Sequence, residues 1–314
     1  MILEKNTNKI ICVPPVKSEN PDTFLKNNDI KDLIIEDFPD GTMINLFKYE
    51  DELFISTRSV IGAHCKWTSK KTFNILFNES INLEMYNFID NMSLSFVLQH
   101  PENRIVTKYL KPHVTLVKVA KIVDNNVTVF NPEQVRDFII MNNLNIISPR
   151  LYNINNKEQI NVLLNNMNNS TQGIVLKNYN NNSRTKIVNT KYEEIKNLKG
   201  NNNNKKYLYL ELRKNNKLND YLKYFSEDSE LFNIFKIELY SATTQLFNFY
   251  QDFFVKRKLN TFLDIDYEYR PLCNELHFIY THNQEIITKK RVIKYIKDLP
   301  ISRLLFVLNY KLKN

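Results

Sequence analysis

The sequence predicts an α+β protein, in which an antiparallel-sheet domain is followed by a helical C-terminal domain. Three observations lead to this prediction. From residue 31 to residue 119 the pattern consists mostly of short extended runs separated by turn residues. After Lys205 the apolar residues recur at helical spacing instead. Asparagine-rich runs at 152–169, 180–182 and 201–204 are typical of loops or linkers. We therefore expect one domain at 1–204 and a second at 205–314.

The first domain is expected to be built of hairpins and strands. Residues 42–49 and 53–57 alternate in polarity around a polar break at Glu50-Asp51, which predicts a β-hairpin. Apolar and β-branched runs predict four further strands, at 94–98, 114–119, 173–177 and 185–188.

The second domain is expected to contain a long helix followed by two shorter ones. Ser226 and the acidic residues after it form a pattern typical of a capped first turn. One apolar stripe then continues through Phe235, Leu239, Ala242, Leu246, Phe249 and Phe253, and it predicts a helix with a buried face. The basic run 256–258 suits the end of that helix. Shorter helices are predicted at 288–298 and 302–311, on either side of Pro300.

Composition indicates a folded chain with anionic partners. Of the 314 residues 43% are apolar, including 17 Tyr and 20 Phe, which excludes an intrinsically disordered chain. The formal net charge of +9 favours nucleic acid, nucleotides or another anionic surface. An AT-rich genome that imposes lysine and asparagine codons would also explain this charge, and both interpretations stay open.

The cysteines and the hydropathy pattern predict a cytoplasmic or other reducing intracellular location. Cys12, Cys65 and Cys273 are scattered, and no signal-peptide pattern precedes them, which fits a reducing compartment. No apolar run approaches 18 residues, so no membrane span is expected. The pair His64-Cys65 has no second Cys/His pair at ligand spacing, so it predicts no metal site.

Glycine is rare, and its positions direct attention to a site. The chain has only four glycines, where average usage would supply about five times as many. Such residues are expected where a side chain would clash, in a turn or against a ligand. They are Gly41, Gly62, Gly173 and Gly200.

The glycine segments and their neighbours form a series along the chain. Its members are Asp40-Gly41-Thr42, Ser56-Thr57-Arg58-Ser59, Pro101-Glu102-Asn103-Arg104, Gln172-Gly173-Ile174-Val175-Leu176-Lys177 and Arg184-Thr185-Lys186-Ile187 before Tyr192. Their order and spacing, over residues 31–200, resemble the covalent nucleotidyltransferases, and most closely the ATP-dependent RNA ligases of the bacteriophage type. DNA ligases and mRNA capping guanylyltransferases share that fold. The resemblance implies an antiparallel-sheet nucleotidyltransferase (ATP-grasp-like ligase) domain.

The resemblance also implies a chemistry, which is RNA end joining or repair with ATP and Mg²⁺. In that family a lysine two positions before the Asp-Gly pair attacks the α-phosphate of ATP and holds AMP as a phosphoramidate. Acidic residues of the third and fourth motifs bind the ribose and the metal, and a basic fifth motif holds the phosphates. AMP then passes to an RNA 5′-phosphate, and a 3′-hydroxyl displaces it.

On this sequence the resemblance implies a set of nucleotide-binding residues. They are Asp40, Gly41, Arg58, Asn103, Arg104, Gln172, Gly173, Lys177 and Lys186. Each also has a simpler interpretation. Asp40 suits a hairpin turn, and Asn103-Arg104 suits a loop after a proline. Arg58 and the two lysines would suit solvated strand positions.

Four positions depart from the family pattern. Phe38 stands at the position of the attacking lysine, and a phenyl ring cannot attack phosphorus. The strand 96–99 ends in Gln99 without a glutamate, Gln172 replaces a glutamate, and Val188 replaces a second basic residue. No catalytic residue and no metal ligand are therefore assigned.

Two interpretations follow from these departures. Either the pocket binds a nucleotide or an RNA end as a pseudoenzyme, without covalent chemistry, or another lysine attacks. Lys31 and Lys48 are the nearest candidates. A capping-type guanylyltransferase would need the same missing lysine.

Overall fold

The computed structural model describes residues 1–312, and the chain divides into two compact units, Met1–Lys196 and Asn197–Asn314. The first unit contains antiparallel sheets and short helices, and the second is built of helices. The predicted α+β class, with antiparallel sheet followed by a helical C-terminal part, is confirmed. The predicted domain limit at 204/205 compares with a division of the contacts at 196/197. No helix of the described residues has the length and apolar character needed to cross a membrane.

The strands of the first unit are β1 (Ile2–Leu3), β2 (Ile10–Cys12), β3 (Ile34–Asp37), β4 (Thr42–Tyr49), β5 (Glu52–Ser56), β6 (Met92–Gln99), β7 (His113–Val123), β8 (Asn126–Val129), β9 (Leu151–Tyr152), β10 (Gly173–Asn178) and β11 (Ser183–Val188). The helices of the chain are α1 (Pro21–Asn27), α2 (Phe73–Asn78), α3 (Pro132–Met141), α4 (Lys157–Asn166), α5 (Thr190–Lys199), α6 (Lys205–Lys214), α7 (Leu218–Tyr224), α8 (Ser229–Tyr250), α9 (Arg270–Asn283), α10 (Lys289–Asp298) and α11 (Ile301–Asn309).

The larger sheet has five antiparallel strands in the order β5-β4-β6-β7-β8. Alternation along each strand sends one set of side chains into a core, which includes Ile44, Leu46, Leu94, Phe96 and Leu98. Side chains from α2 and α3 cover this apolar face. The opposite face carries buried polar residues such as Asn45, Ser95 and Gln99.

The smaller sheet has four antiparallel strands in the order β11-β10-β3-β9. Its apolar face, with Ile35, Ile174 and Leu176, packs on residues of α1 and α4. The pairing register places the charged side chains together on the other face: Glu36 and Lys186 both pair with Val175, and Arg184 pairs with Lys177.

The polar faces of the two sheets are turned toward each other. Lys177 Nζ on β10 donates a hydrogen bond to the carbonyl of Val117 on β7, at 3.0 Å. We call the space between these faces the inter-sheet cleft. A cavity of about 210 Å³ within it is lined from both sheets, for example by Glu36 and Leu116.

Two of the three asparagine-rich runs, 180–182 and 201–204, are loops as predicted, and the third is not. The run 152–169 was expected to be irregular, but it contains α4. Asn156 caps this helix by accepting a hydrogen bond from Gln159 N, and Ile160 is buried. The loop prediction was wrong here, because the apolar contacts of Ile160, Leu163 and Leu164 and a good cap outweigh the low helix propensity of asparagine.

The second unit is centred on α8. Phe235, Leu239 and Leu246 of the predicted stripe are buried. Ser226 does not cap this helix: a 3-10 turn at Ser226–Asp228 precedes α8, which begins at Ser229. The end of α8 continues as a π-helix at Gln251–Val255, which a stripe of period 3.6 does not predict. The predicted helices 288–298 and 302–311 correspond to α10 and α11.

Candidate functional site

Several segments of the motif series meet at one end of the two sheets. The turn between β3 and β4 carries Phe38 and Asp40, and Phe38 N donates to Gly173 O at the start of β10, at 3.0 Å. Asn103 Nδ2 donates to Thr42 Oγ1 at the start of β4, at 2.9 Å. The fold therefore brings together residues that lie far apart in the sequence.

Asp40 holds this end of the cleft in shape. Its side chain is buried, and its Oδ2 accepts hydrogen bonds from Val106 N at 3.1 Å and Thr107 N at 2.8 Å. Its Oδ1 accepts a hydrogen bond from Tyr192 Oη at 2.7 Å. Burial and the nearby carboxylate raise the pKa of Tyr192 far above its usual range, so the phenol stays a donor. Asp40 was predicted as a nucleotide contact, but its acceptors are already occupied by three protein donors.

Gly41 and Gly173 are required by the protein itself. A Cβ on Gly41 would collide with Leu98 O and lie 2.7 Å from Val97 Cγ1. A Cβ on Gly173 would collide with Ile187 O, and this residue has a φ of +143°. Both glycines allow close approach of neighbouring strands. The atoms that exclude a side chain therefore belong to the protein, which needs no ligand to explain them.

Phe38 and Lys186 are direct neighbours. Lys186 Nζ lies 5.2 Å from the centroid of the Phe38 ring, within the range of a cation–π contact. Partial burial lowers the pKa of Lys186, and Arg184, Lys196 and Arg58 lower it further by repulsion. Among the described residues, the charged groups that shift the pKa of Lys186 are all cations, whereas Glu36 acts on Arg184. We call Arg58, Lys186 and Lys196 the Lys186 cluster.

Lys177 lies on the same face of the sheet but is committed to another contact. It forms an ion pair with Glu36, in addition to its hydrogen bond to Val117 O. Burial raises the pKa of Glu36, and the neighbouring Lys177 opposes this shift. Lys177 was predicted to contact a nucleotide, but it connects β10 to β3 and β7 instead.

Of the remaining predicted residues, Asn103 and Arg104 stabilise the loop beside Asp40, and the side chain of Gln172 is available for a ligand. Asn103 is buried on Thr42, and Arg104 Nε donates to Val106 O at 2.9 Å. Both therefore support the segment that holds Asp40. Gln172 is half-buried, and its side-chain amide makes no hydrogen bond to any part of the chain that the structure describes. Its main-chain carbonyl accepts from Asn189 N at 2.9 Å.

The two alternative lysines lie away from Phe38. Lys48 is six positions beyond Thr42 on β4, which corresponds to about 20 Å of strand. Its Nζ donates to Asp90 Oδ1 at 2.8 Å, and this contact raises the pKa of Lys48, which is the opposite of what an attacking amine needs. Lys31 is exposed in the 3-10 turn Ile30–Asp32, before β3, whereas Phe38 follows β3.

Two cations of the cleft, buried Lys118 and half-buried Arg184, were not predicted. Lys118 on β7 donates to Pro14 O at 3.1 Å, and burial lowers its pKa to about 8. Arg184 Nε donates to Val16 O at 2.7 Å, and burial lowers its pKa as well. The signals were a lysine inside the apolar run 114–119 and an arginine two positions before Lys186, hence on the same strand face.

The charged groups near Phe38 do not fit a divalent metal. Mg²⁺ prefers carboxylate oxygens, but the Lys186 cluster is cationic and Asp40 is fully engaged. Gln99 is also occupied: it donates to Tyr109 Oη and accepts from Thr115 Oγ1. We therefore derive no step through a protein-held metal.

One acidic cluster elsewhere resembles a metal site but already contains a lysine ammonium. Glu79, His100 and Glu102 bring their ligand atoms within 4.8 Å of one another. Lys71 Nζ sits between the carboxylates, 2.9 Å from Glu79 and 2.6 Å from Glu102. His100 Nδ1 accepts from Glu102 N, so its other nitrogen carries the proton and donates to Glu79. The Lys71 ammonium thus lies where a metal cation would bind.

Comparisons with known proteins give low-level structural similarity. No family model and no curated protein sequence matches the chain. The RNA ligase of Naegleria gruberi with PPi is 12% identical, with a TM-score of 0.46, over 62% of this chain and 63% of that one. An Aquifex aeolicus protein assigned as an ATP-dependent DNA ligase is 17% identical, with a TM-score of 0.47, over 77% of this chain and 71% of that one. The chain thus spans less than two thirds of the Naegleria ligase. At such low scores neither similarity tells what this chain binds or does.

Proposed function

We propose that the Lys186 cluster binds the phosphates of ATP or AMP, or the 5′-phosphate of an RNA end, and that no lysyl-AMP forms at position 38. The observation that carries this proposal is the Phe38 ring beside Lys186 Nζ, in the place where the related chemistry needs an amine. A protein that keeps the phosphate-binding cation and replaces the nucleophile would bind without covalent transfer.

The electrostatics of the cluster support an anionic ligand. After burial, the positive charges of Arg184, Lys196 and Arg58 lower the pKa of Lys186. A phosphate would relieve the repulsion through charge-assisted hydrogen bonds. The free amide of Gln172 adds a donor and an acceptor for the sugar or the base.

RNA is the proposed polymer substrate, and RNA end joining or repair is the proposed process. The support is the motif series at 40–42, 101–104, 172–177 and 184–187, which resembles RNA ligases. The alternative is a catalytically inactive module that binds nucleotides or nucleic acid. ATP would serve as ligand in either case, and a divalent ion would enter with the nucleotide phosphates.

One observation favours a covalent variant of this function. Lys186 Nζ is itself close to Phe38, and its lowered pKa raises the fraction of neutral amine. A neutral amine could form a P–N bond to the α-phosphorus while the bond to the pyrophosphate oxygen breaks. Pyrophosphate would leave, and the nitrogen would lose a proton to solvent. Lys186 would then replace the lysine that position 38 lacks.

The test combines labelling with equilibrium binding. The protein is incubated with α-labelled ATP or GTP and Mg²⁺ or Mn²⁺, then denatured, and ATP affinity is measured separately. We expect no label on the denatured protein. Lys186→Gln should weaken ATP binding by about tenfold, or about 1.4 kcal/mol. Lys121→Gln, at an exposed position of β7, removes the same charge and should leave ATP binding unchanged.

Each other outcome has a defined meaning. Label that disappears in Lys186→Gln would establish the covalent variant. Label that survives in Lys186→Gln but disappears in Lys48→Gln or Lys31→Gln would overturn both forms of the proposal. Equal ATP affinity in Lys186→Gln and Lys121→Gln would remove the cluster as the phosphate site.

A further inference from the structure

The helical unit contains a groove between α6, α8 and α10 that is separate from the inter-sheet cleft. Its volume is about 440 Å³. Three cations line it: Arg213 from α6, Lys236 from α8 and Lys289 from α10. The isoleucines Ile237 and Ile293 and the ring of Tyr240 line it as well. We propose that this helical groove binds a single-stranded segment of RNA.

The charge of the groove indicates a polyanion. No carboxylate belongs to its lining. Neither Arg213 nor Lys236 forms an ion pair with a carboxylate anywhere in the described range 1–312, so both guanidinium and ammonium groups face the groove or solvent without compensation. Lys289 Nζ donates to Tyr240 Oη at 3.2 Å. Cations from three different helices thus converge on one concave surface, which suits successive phosphates of a strand.

The apolar part of the groove distinguishes nucleic acid from a simple anion. Ile237 is 60% exposed and Tyr240 is 62% exposed, although both are large side chains next to a packed helix core. Lys289 Nζ lies 4.9 Å from the Tyr240 ring centroid, so the ring stands at the edge of the cationic region. An exposed aromatic ring next to cations is a surface that an unpaired base and its phosphates recognise together.

A single strand fits this surface better than a duplex or an acidic peptide. Stacking on Tyr240 needs a base whose face is free, which a paired base inside a duplex does not offer. An acidic peptide would satisfy the cations but would leave the exposed ring and isoleucines without flat partners. The groove therefore selects the unpaired regions of RNA.

The choice of RNA as the strand rests on the proposed function, whereas the groove itself belongs to the helical unit alone. The test uses the full-length protein. The probe is a short fluorescent single-stranded RNA with hydroxyl ends, so that it offers no terminal phosphate to the Lys186 cluster. Binding is followed by anisotropy at several salt concentrations. The double variant Arg213→Gln/Lys236→Gln is compared with Arg257→Gln/Lys258→Gln, which removes one arginine and one lysine from exposed positions outside the groove.

We expect the groove variant to bind RNA at least about tenfold more weakly than the matched control. The slope of log affinity against log salt should also fall by about 1.4, since each lost phosphate contact contributes about 0.7 for single strands. Tyr240→Ala should weaken binding at least about fivefold, whereas Tyr240→Phe keeps the stacking ring and should bind as the unmodified protein does. Thermal melts of all variants verify that they are folded.

Three results would overturn the inference. The first is an equal loss in the two double variants, which would indicate non-specific attraction by the net charge. The second is displacement of the RNA by a polyglutamate peptide at the same concentration as by unlabelled RNA, which would indicate a protein partner. The third is equal affinity for a duplex of the same sequence. A failure of the ATP experiment on Lys186→Gln would leave all of these measurements unaffected.

Discussion

At the residue scale, the same few side chains had both a structural and a functional interpretation in the sequence. The surroundings of Asp40 and Lys177 give both a structural role, because Asp40 is buried among hydrogen-bond donors and half-buried Lys177 pairs with Glu36. Lys186 differs from them: it is exposed beside the Phe38 ring, and the charged groups that act on its pKa are all cations. A motif gives the residue types of a site, whereas the distribution of partners decides which of them remain available for a ligand.

Lys118 provides a prediction for the dependence of stability on pH. Burial lowers its pKa from an ordinary 10.5 to about 8, and the positive charges of Arg184 and Lys177 act in the same direction. Between pH 8 and 10.5 the unfolded chain therefore binds more protons at this residue than the folded chain does. The free energy of unfolding should rise with pH across this range, by a few kcal/mol in total.

The measurement is urea unfolding at several pH values from 7 to 10.5, on the unmodified protein and on Lys118→Met. The variant has no titrating amine, so its stability should be higher at pH 7, and the rise should be absent. Parallel pH curves for the two proteins would show that Lys118 titrates normally in the folded state.

At the element scale, some strands and helices were predictable and others were not. The hairpin β4–β5 was predicted from alternation and a polar turn, because local sequence determines it. The strand β3 and the helix α4 were not predicted. Both depend on partners distant in sequence: β3 lies between β10 and β9, and Ile160 of α4 packs in the core beside the smaller sheet.

The Lys177–Glu36 pair gives a prediction about how the elements of the cleft are held together. Lys177→Met would leave the Glu36 carboxylate buried without its counter-ion, so it should lower the free energy of unfolding by about 3–5 kcal/mol. Adding Glu36→Gln removes the buried charge and should recover much of this loss. Denaturant titrations of the single and double variants measure the coupling.

The matched control is the exposed pair Lys223–Asp220, whose side chains are 68% and 56% accessible. Lys223→Met should change stability by at most about 1 kcal/mol, since solvent screens such a pair. A similar small effect for Lys177→Met would show that the charges on β10 and β3 do not stabilise the smaller sheet.

At the scale of the whole molecule, the fold class was predictable and the details of the site were not. The change from strand-like to helical spacing near residue 200 predicted an α+β chain with a helical C-terminal part. The series of motifs predicted which segments to consider together. It did not predict the hydrogen bonds that converge on Asp40, the Lys177–Glu36 pair or the groove of α6, α8 and α10. These depend on side chains from elements separated by tens of residues, and no local pattern records such contacts.

The two proposed sites predict independent binding of two ligands by one chain. The Lys186 cluster is built from residues of the unit Met1–Lys196, and the helical groove from residues of the unit Asn197–Asn314. Lys186→Gln should therefore weaken ATP binding by about tenfold and leave binding of hydroxyl-ended RNA unchanged. Arg213→Gln/Lys236→Gln should do the opposite. In the combined variant each loss should keep its own size, because substitutions without shared partners are additive in free energy. Calorimetric titration of ATP, with and without saturating RNA, measures the first loss, and anisotropy titration of the RNA measures the second. A lower ATP affinity in the groove variant would show instead that the two ligands share one site.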